Sequence, residues 1–206
     1  MQVLESVQTK PITFSSMLKR YTLEEFWALP ELADRSHYEL IEGVLYIVPP
    51  PASPHGDLIS FLNESLVLYL VANDRPGKIY HPREAIYIEE VWGTYFEPDM
   101  MYVSNELRAR MGEKRTSADI VFECLSESTG VYDRTTKADT YLALGVKELW
   151  LIDSDNETVE VRNADFREEM PCWKIRRYAN GATAESNVLE GWKISTAELF
   201  ASIETH

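Results

Sequence analysis

Long apolar runs, paired cysteines and basic residues are what this chain has least of. No apolar run approaches the roughly 20 residues that a membrane span needs, so no membrane partner is expected. The start, MQVLESVQTKPITFSSMLKRY, lacks a basic segment followed by an apolar block, which argues against a secretory signal. The two cysteines, Cys124 and Cys172, are far apart and form no CxxC pair, so a reducing, cytoplasmic setting is the natural expectation. There is no phosphate-cradling glycine loop, no zinc-spaced Cys/His set and no GxSxG elbow. Lys and Arg number 20 against 34 Asp and Glu, a net charge of −14. Proteins that grip DNA usually carry a basic footprint, which here would have to be local. Three clusters qualify: Arg75, Lys78 and Arg83; Arg108, Arg110, Lys114 and Arg115; and Lys174, Arg176 and Arg177. Each reads equally well as a solvated face of mixed sign.

What is present is an ordinary globular composition, 45% apolar and 26% charged over 206 residues. That is enough chain for one domain with a sizeable core. A single domain over 1–206 is expected, with 1–20 as an extended arm. Thr22 with Glu25 forms a capping box ahead of a short helix near 23–29. YELIE and VLYIV alternate about Gly43 as a hairpin. Leu58, Leu62, Leu66 and Leu70 recur every four residues and predict a helix of about 17 residues. Strands are expected over 84–90 and 96–103, and ELRARMGEKR holds at most a helical turn. Strands TVEVRN and KIRRYA follow later, and a last helix begins near Ser195.

The most informative stretch is ADIVFECLSESTGVYDRTTKADTYLALGVKELWLID, residues 118–153. It reads as strand (118–125), loop, helix (133–144) and strand (148–153), with Asp133 or Thr129 as the helix cap and Gly145 ending it. Three strands and then a strand–helix–strand crossover imply a mixed α/β sheet with helices packed on it. Glu123 lies inside an otherwise apolar strand, where an unpaired carboxylate costs several kcal/mol. It must be neutralised, paired or bound to a metal. Side chains alternate along a strand, so Glu123 shares a face with Asp119, Val121 and Leu125. If the strand carrying Asp99 is its neighbour, the two acids can point to one side. Hard cations such as Mg²⁺ favour such carboxylates, with water and phosphate completing the shell. Asp133, Lys137 and Tyr141 are spaced by four and share a helix face, and Arg134 lies on the next stripe. Bland readings stay open: an i,i+4 pair of Asp133 with Lys137, and a structural Glu123 paired with Lys137 or Arg134. Glu42, beside the hairpin turn, and His55, at the start of the long helix, are peripheral candidates. Each reads also as an ordinary turn or helix-start residue.

YELIEG with VPPPASPHGDLI, then EPDMMYV, then the block 118–153 resembles the Uma-type endonuclease family, formerly a domain of unknown function. That family lies within the PD-(D/E)xK restriction-endonuclease-like superfamily. The resemblance covers roughly residues 20–200. It implies a nuclease core of helix, three strands, helix and strand, with the N-terminal hairpin and C-terminal strands added. It implies Asp99 and Glu123 as ligands of Mg²⁺ or Mn²⁺, and Lys137 as the third catalytic group. It implies duplex DNA as substrate, with a homodimer addressing two strands. The sequence departs at Leu125, which fills the slot where the superfamily's lysine usually stands. Three functions therefore compete: a metal-dependent DNA endonuclease, a catalytically degenerate nuclease fold that binds DNA or a protein, and a scaffold with a buried ion pair.

Overall fold

The computed structural model describes residues 19–203 apart from 52, 168, 169 and 180, so the arm expected over 1–20 lies almost wholly outside the described residues. The short helix α1 (Leu23–Trp27) carries both bonds of its capping box, Glu25 N–H to the Thr22 hydroxyl and Thr22 N–H to the Glu25 carboxylate. Strands β1 (His37–Ile41) and β2 (Val44–Val48) form the expected hairpin. Both turn residues have positive φ, 47° at Glu42 and 78° at Gly43, the geometry that matches strand twist in a two-residue hairpin. A Cβ on Gly43 would also press on the Tyr21 carbonyl at 3.1 Å.

Helix α2 (Ser53–Ala72) spans 20 residues. It is followed by β3 (Gly77–Tyr80), β4 (Ile86–Ile88), β5 (Thr94–Phe96), β6 (Met100–Ser104), a short α3 (Asn105–Met111) and β7 (Ile120–Leu125). The next helix begins as α4 (Gly130–Tyr132), passes through a π-helical turn (Asp133–Lys137) and continues as α5 (Ala138–Ala143). Gly145 then takes φ 80° in the C-terminal position expected of it. Strands β8 (Glu148–Asp153), β9 (Thr158–Asp165), β10 (Cys172–Ala179), β11 (Thr183–Glu185) and β12 (Lys193–Ser195) lead to α6 (Thr196–Ala201), capped by the Ser195 hydroxyl.

The central sheet has six strands in the order β10-β9-β8-β7-β6-β3, and a second sheet of four runs β2-β1-β5-β4. β7 and β8 are parallel, joined by the helix, while β6–β7 and β3–β6 are antiparallel. Alternation divides the core between the two faces of the central sheet. Met100, Tyr102, Phe122 and Trp150 pack with Leu58, Leu62 and Leu66 of α2. Met101, Val121, Leu149 and Leu151 pack with Tyr141 of α5 and with Ile86 and Phe96 of the second sheet.

The core of helix, three strands, helix and strand is present, but its strands differ from those expected. The stretch FEPDMMYV is not one strand. β5 belongs to the second sheet and β6 to the central one. Between them Glu97 gives its N–H to the Glu39 carboxylate at 2.9 Å, and Pro98 has no N–H to give, so neither residue feeds a ladder. The strand expected over 84–90 shrinks to β4 and joins the second sheet. The third strand of the core is instead β3, an edge strand of four residues. Within it Lys78 reads from the sequence only as part of a basic cluster.

Candidate functional site

Glu123 and Lys137 meet because β7 and the helix after it are built to bring them together. Antiparallel pairing puts Met100 opposite Phe122, which leaves Asp99, in the bend before β6, across from Glu123 at the open end of the sheet. Glu123 lies on the face that the returning helix covers. The π-helical turn carries Asp133 and Lys137 inward, and both are buried. Such single π turns recur at functional sites. Asp133 is therefore not a helix cap. The cap position is Thr129, which makes no side-chain cap bond.

Lys137 Nζ lies 2.9 Å from Glu123 Oε1, 3.3 Å from Glu39 Oε1 and 3.9 Å from Asp133 Oδ1. The Tyr141 hydroxyl also donates to Glu123 Oε1. Lys137 thus pairs with both of the acids weighed for it, and Glu123 takes Lys137 rather than Arg134 as its partner. Arg134 instead binds Asp153 at 2.9 Å and Glu160 at 3.4 Å, and its carbonyl accepts from Arg162 Nη1 at 2.8 Å. It clamps the helix to the sheet.

Glu39 is the member of the Lys137 cluster that sequence reasoning missed. It is fully buried on β1 and reaches across from the second sheet. Its Oε1 accepts from Glu97 N–H, and its Oε2 accepts from the Tyr132 hydroxyl at 2.9 Å. No local signal could have found it: the burial of Glu39 with Leu40 and Ile41 arises only when the hairpin packs against distant parts of the chain. Glu42, by contrast, is an exposed turn residue whose N–H donates to the Thr94 hydroxyl, because a positive-φ turn position points away from the sheet interior. The structure does not bring it to the site.

His55 does reach the site. Its Nε2 lies 2.8 Å from Asp99 Oδ1, and Asp99 Oδ2 accepts the Cys124 N–H at 2.7 Å. The His55 contact is close but misdirected, so the buried Nε2 has no aligned acceptor and the attraction is electrostatic. These residues line a cavity of about 730 Å³ whose rim includes Arg35, Arg83 and the Ser126–Ser128 loop.

The electrostatics follow from three carboxylates, Glu39, Glu123 and Asp133, sharing one ammonium, with Asp99 close by. Burial works against the charge on Lys137, but Glu123 and Glu39 outweigh it and hold its pKa well above the usual lysine value. Burial would also raise Glu39, yet Lys137 and its hydrogen-bond donors pull it down to about 2. Glu123 moves the other way. Burial, and then the charges of Asp99, Asp133 and Glu39, raise it despite Lys137. Burial likewise lifts Asp133 to about 6 against the pull of Lys137 and Thr129. Burial would lower the His55 pKa, but the close Asp99 carboxylate, 2.8 Å away, outweighs burial and raises it. A surplus of clustered carboxylates beside one ammonium, with an imidazole nitrogen lacking an aligned acceptor, is a donor set that fits a divalent cation. The chemistry this arrangement can support is charge stabilisation and water activation at an anionic centre.

Of the three basic clusters, only Arg83 reaches the cavity. Arg115 pairs with Glu84 at 2.5 Å, Lys114 with Glu89, Lys174 with Asp165 and Arg177 with Glu160 at 2.6 Å. Among the described residues, no helix is long and apolar enough to cross a membrane.

A family model described as "Uma2: Putative restriction endonuclease" matches residues 23–197. No curated protein matches the sequence. The fold is similar to the crystal structure of "a putative nuclease belonging to DUF820 from Anabaena variabilis ATCC 29413", with 20% identity and a TM-score of 0.66. That likeness covers 89% of this chain and 99% of the other and shows a shared fold, consistent with the restriction-endonuclease description of the family match.

Proposed function

Because this chain belongs to the Uma2 family of restriction-endonuclease-like proteins, we propose that it is a metal-dependent endonuclease that hydrolyses DNA phosphodiester bonds. The observation that carries the reading is the buried Lys137 ammonium, 2.9 Å from Glu123, with Asp99 facing Glu123 across the sheet end. Lys137 arrives from the helix and supplies the charge that Leu125, two residues after Glu123, cannot. Asp99 and Glu123 are the proposed metal ligands. A Mg²⁺ or Mn²⁺ ion held there supplies Lewis acidity that lowers the pKa of bound water and offsets charge on the scissile phosphate.

The chain's own residues do the rest. Glu39 and Glu123 keep Lys137 protonated and fix its Nζ, so that it can orient a water and neutralise charge that develops on a phosphate oxygen. Tyr141 and Lys137 bind the same oxygen of Glu123, which leaves its other oxygen for a ligand role. Arg35 and Arg83 at the cavity rim provide a local cationic approach in a chain of net charge −14. Duplex DNA fits this reading as substrate, with a two-fold homodimer cutting both strands in a cytoplasmic setting.

The test is nicking of supercoiled plasmid in Mg²⁺ and in Mn²⁺. The wild-type protein cleaves, and Asp99→Ala, Glu123→Gln and Lys137→Ala each lose at least about 10²-fold, the usual cost of removing a charge-stabilising group. Equal cleavage by all four proteins refutes the assignment. DNA binding without cleavage by the wild type replaces it with the degenerate-nuclease reading that Leu125 favours.

A further inference from the structure

A second group of donors converges on the α2 side of the central sheet, and the phosphodiester reading leaves it unused as a group. A ring nitrogen of His55, an Asp99 carboxylate oxygen and Cys124 Sγ all lie within 4.8 Å of one another. They come from three places: the first turns of α2, the bend before β6, and β7. Cys124 neighbours Glu123 in the strand and so faces the opposite side, toward Leu58 and Leu62. Asp99, at the strand end, is within reach of both faces.

The group is prearranged. The Cys124 N–H bond to Asp99 Oδ2, 2.7 Å long, fixes the carboxylate beside the thiol. His55 is held with Nε2 buried, 2.8 Å from Asp99 Oδ1, yet with no aligned acceptor. Both His55 and Cys124 line the cavity, so an ion can reach them from solvent.

The donor chemistry differs from that of Asp99 and Glu123. Mg²⁺ takes oxygen ligands and binds thiolates poorly, whereas an imidazole nitrogen, a carboxylate oxygen and a thiolate sulfur form a set suited to zinc-class ions. We propose that His55, Asp99 and Cys124 form a subsite for a thiophilic divalent cation of the zinc class, next to the proposed catalytic pair and sharing Asp99 with it. The subsite stands whether or not the chain cleaves DNA. On binding, the Sγ–H bond of Cys124 is replaced by an Sγ–metal bond and one proton leaves to solvent, with no change of oxidation state. Three protein ligands leave a fourth position for water or an anionic oxygen. An ion there competes for Asp99 with any Mg²⁺ at the catalytic pair.

Co²⁺ reports this directly, because a cobalt–thiolate bond gives a near-ultraviolet charge-transfer band that cobalt bound only to oxygen and nitrogen lacks. Titration of the reduced, full-length protein with CoCl₂ is expected to give this band, and excess Zn²⁺ is expected to bleach it. Cys124→Ser abolishes the band, and Cys172→Ser, which removes the exposed thiol, keeps it. His55→Gln retains both cysteines and weakens Co²⁺ binding at least tenfold, a readout that holds even if Cys124→Ser fails to fold. Glu123→Gln keeps the band while losing any Mg²⁺-dependent cleavage, so the failure of this proposal and the failure of the nuclease reading are separate results. No band in the wild type, a band that survives Cys124→Ser or vanishes in Cys172→Ser, or unchanged affinity in His55→Gln overturns the subsite.

Discussion

Replacing Glu39 with glutamine removes one charge and leaves the shape of the side chain. The amide oxygen can still accept from Tyr132 or Glu97, so the loss is mainly that of the carboxylate facing Lys137 at 3.3 Å. The structure sets its size. A glutamate held at about 2, down from 4.5, favours the folded state by about 3 kcal/mol at neutral pH, at about 1.4 kcal/mol per tenfold change in proton affinity. The sign follows from the lowered value. The unfolded chain binds the proton more tightly, so the stabilisation is complete above about 4.5 and disappears as the pH falls toward 2. Urea unfolding followed by tryptophan fluorescence at pH 7 should show Glu39→Gln less stable by about 3 kcal/mol, which lowers the melting temperature by about 6–12 °C for a chain of this size. At pH 3 the two proteins should lie much closer together. A variant as stable as wild type at pH 7, or a deficit that does not shrink in acid, refutes the claim that Glu39 acts as the buried counter-charge of Lys137.

Further outcomes follow from the same packing. Lys137→Met leaves Glu39, Glu123 and Asp133 buried without their ammonium and should cost about 3–5 kcal/mol in urea unfolding at pH 7. Adding Glu123→Gln to that variant should recover part of the loss, because one uncompensated charge is then gone. Gly77→Ala would place a Cβ 2.5 Å from both Tyr102 Cε2 and the Val103 carbonyl, so β3 must shift from β6. Overpacking of this kind should cost about 1–3 kcal/mol, and hydrogen exchange should rise in β3 before the rest of the central sheet.

Glu123 and Lys137 were legible in the sequence because each broke a local rule. A glutamate stood inside the apolar run Ile120–Leu125, and a lysine sat on the helix face that Tyr141 buries. The parallel pair β7–β8 was legible for a related reason, since two apolar runs flanked an amphipathic helix ending in Gly145. Glu39 was not legible, because its burial depends on partners far along the chain: Tyr132 is 93 residues away and Glu97 is 58. No local pattern reports a hairpin that folds over the end of another sheet. The division of FEPDMMYV was hidden for the same reason. Its apolar content is that of one strand, and the diversion of the Glu97 N–H to Glu39, next to Pro98, splits it between two sheets. The π-helical turn changes which carbonyl each N–H meets, and side-chain spacing alone does not show that.

The central claim, that Asp99 and Glu123 hold a divalent metal beside Lys137, is tested most directly by anomalous diffraction from a crystal soaked in Mn²⁺. A manganese peak within coordination distance of Asp99 and Glu123 oxygens is the predicted result, and it should be absent from an Asp99→Ala crystal treated alike. A well-ordered cavity with no peak between the two carboxylates, or manganese bound only elsewhere on the acidic surface, would contradict the account.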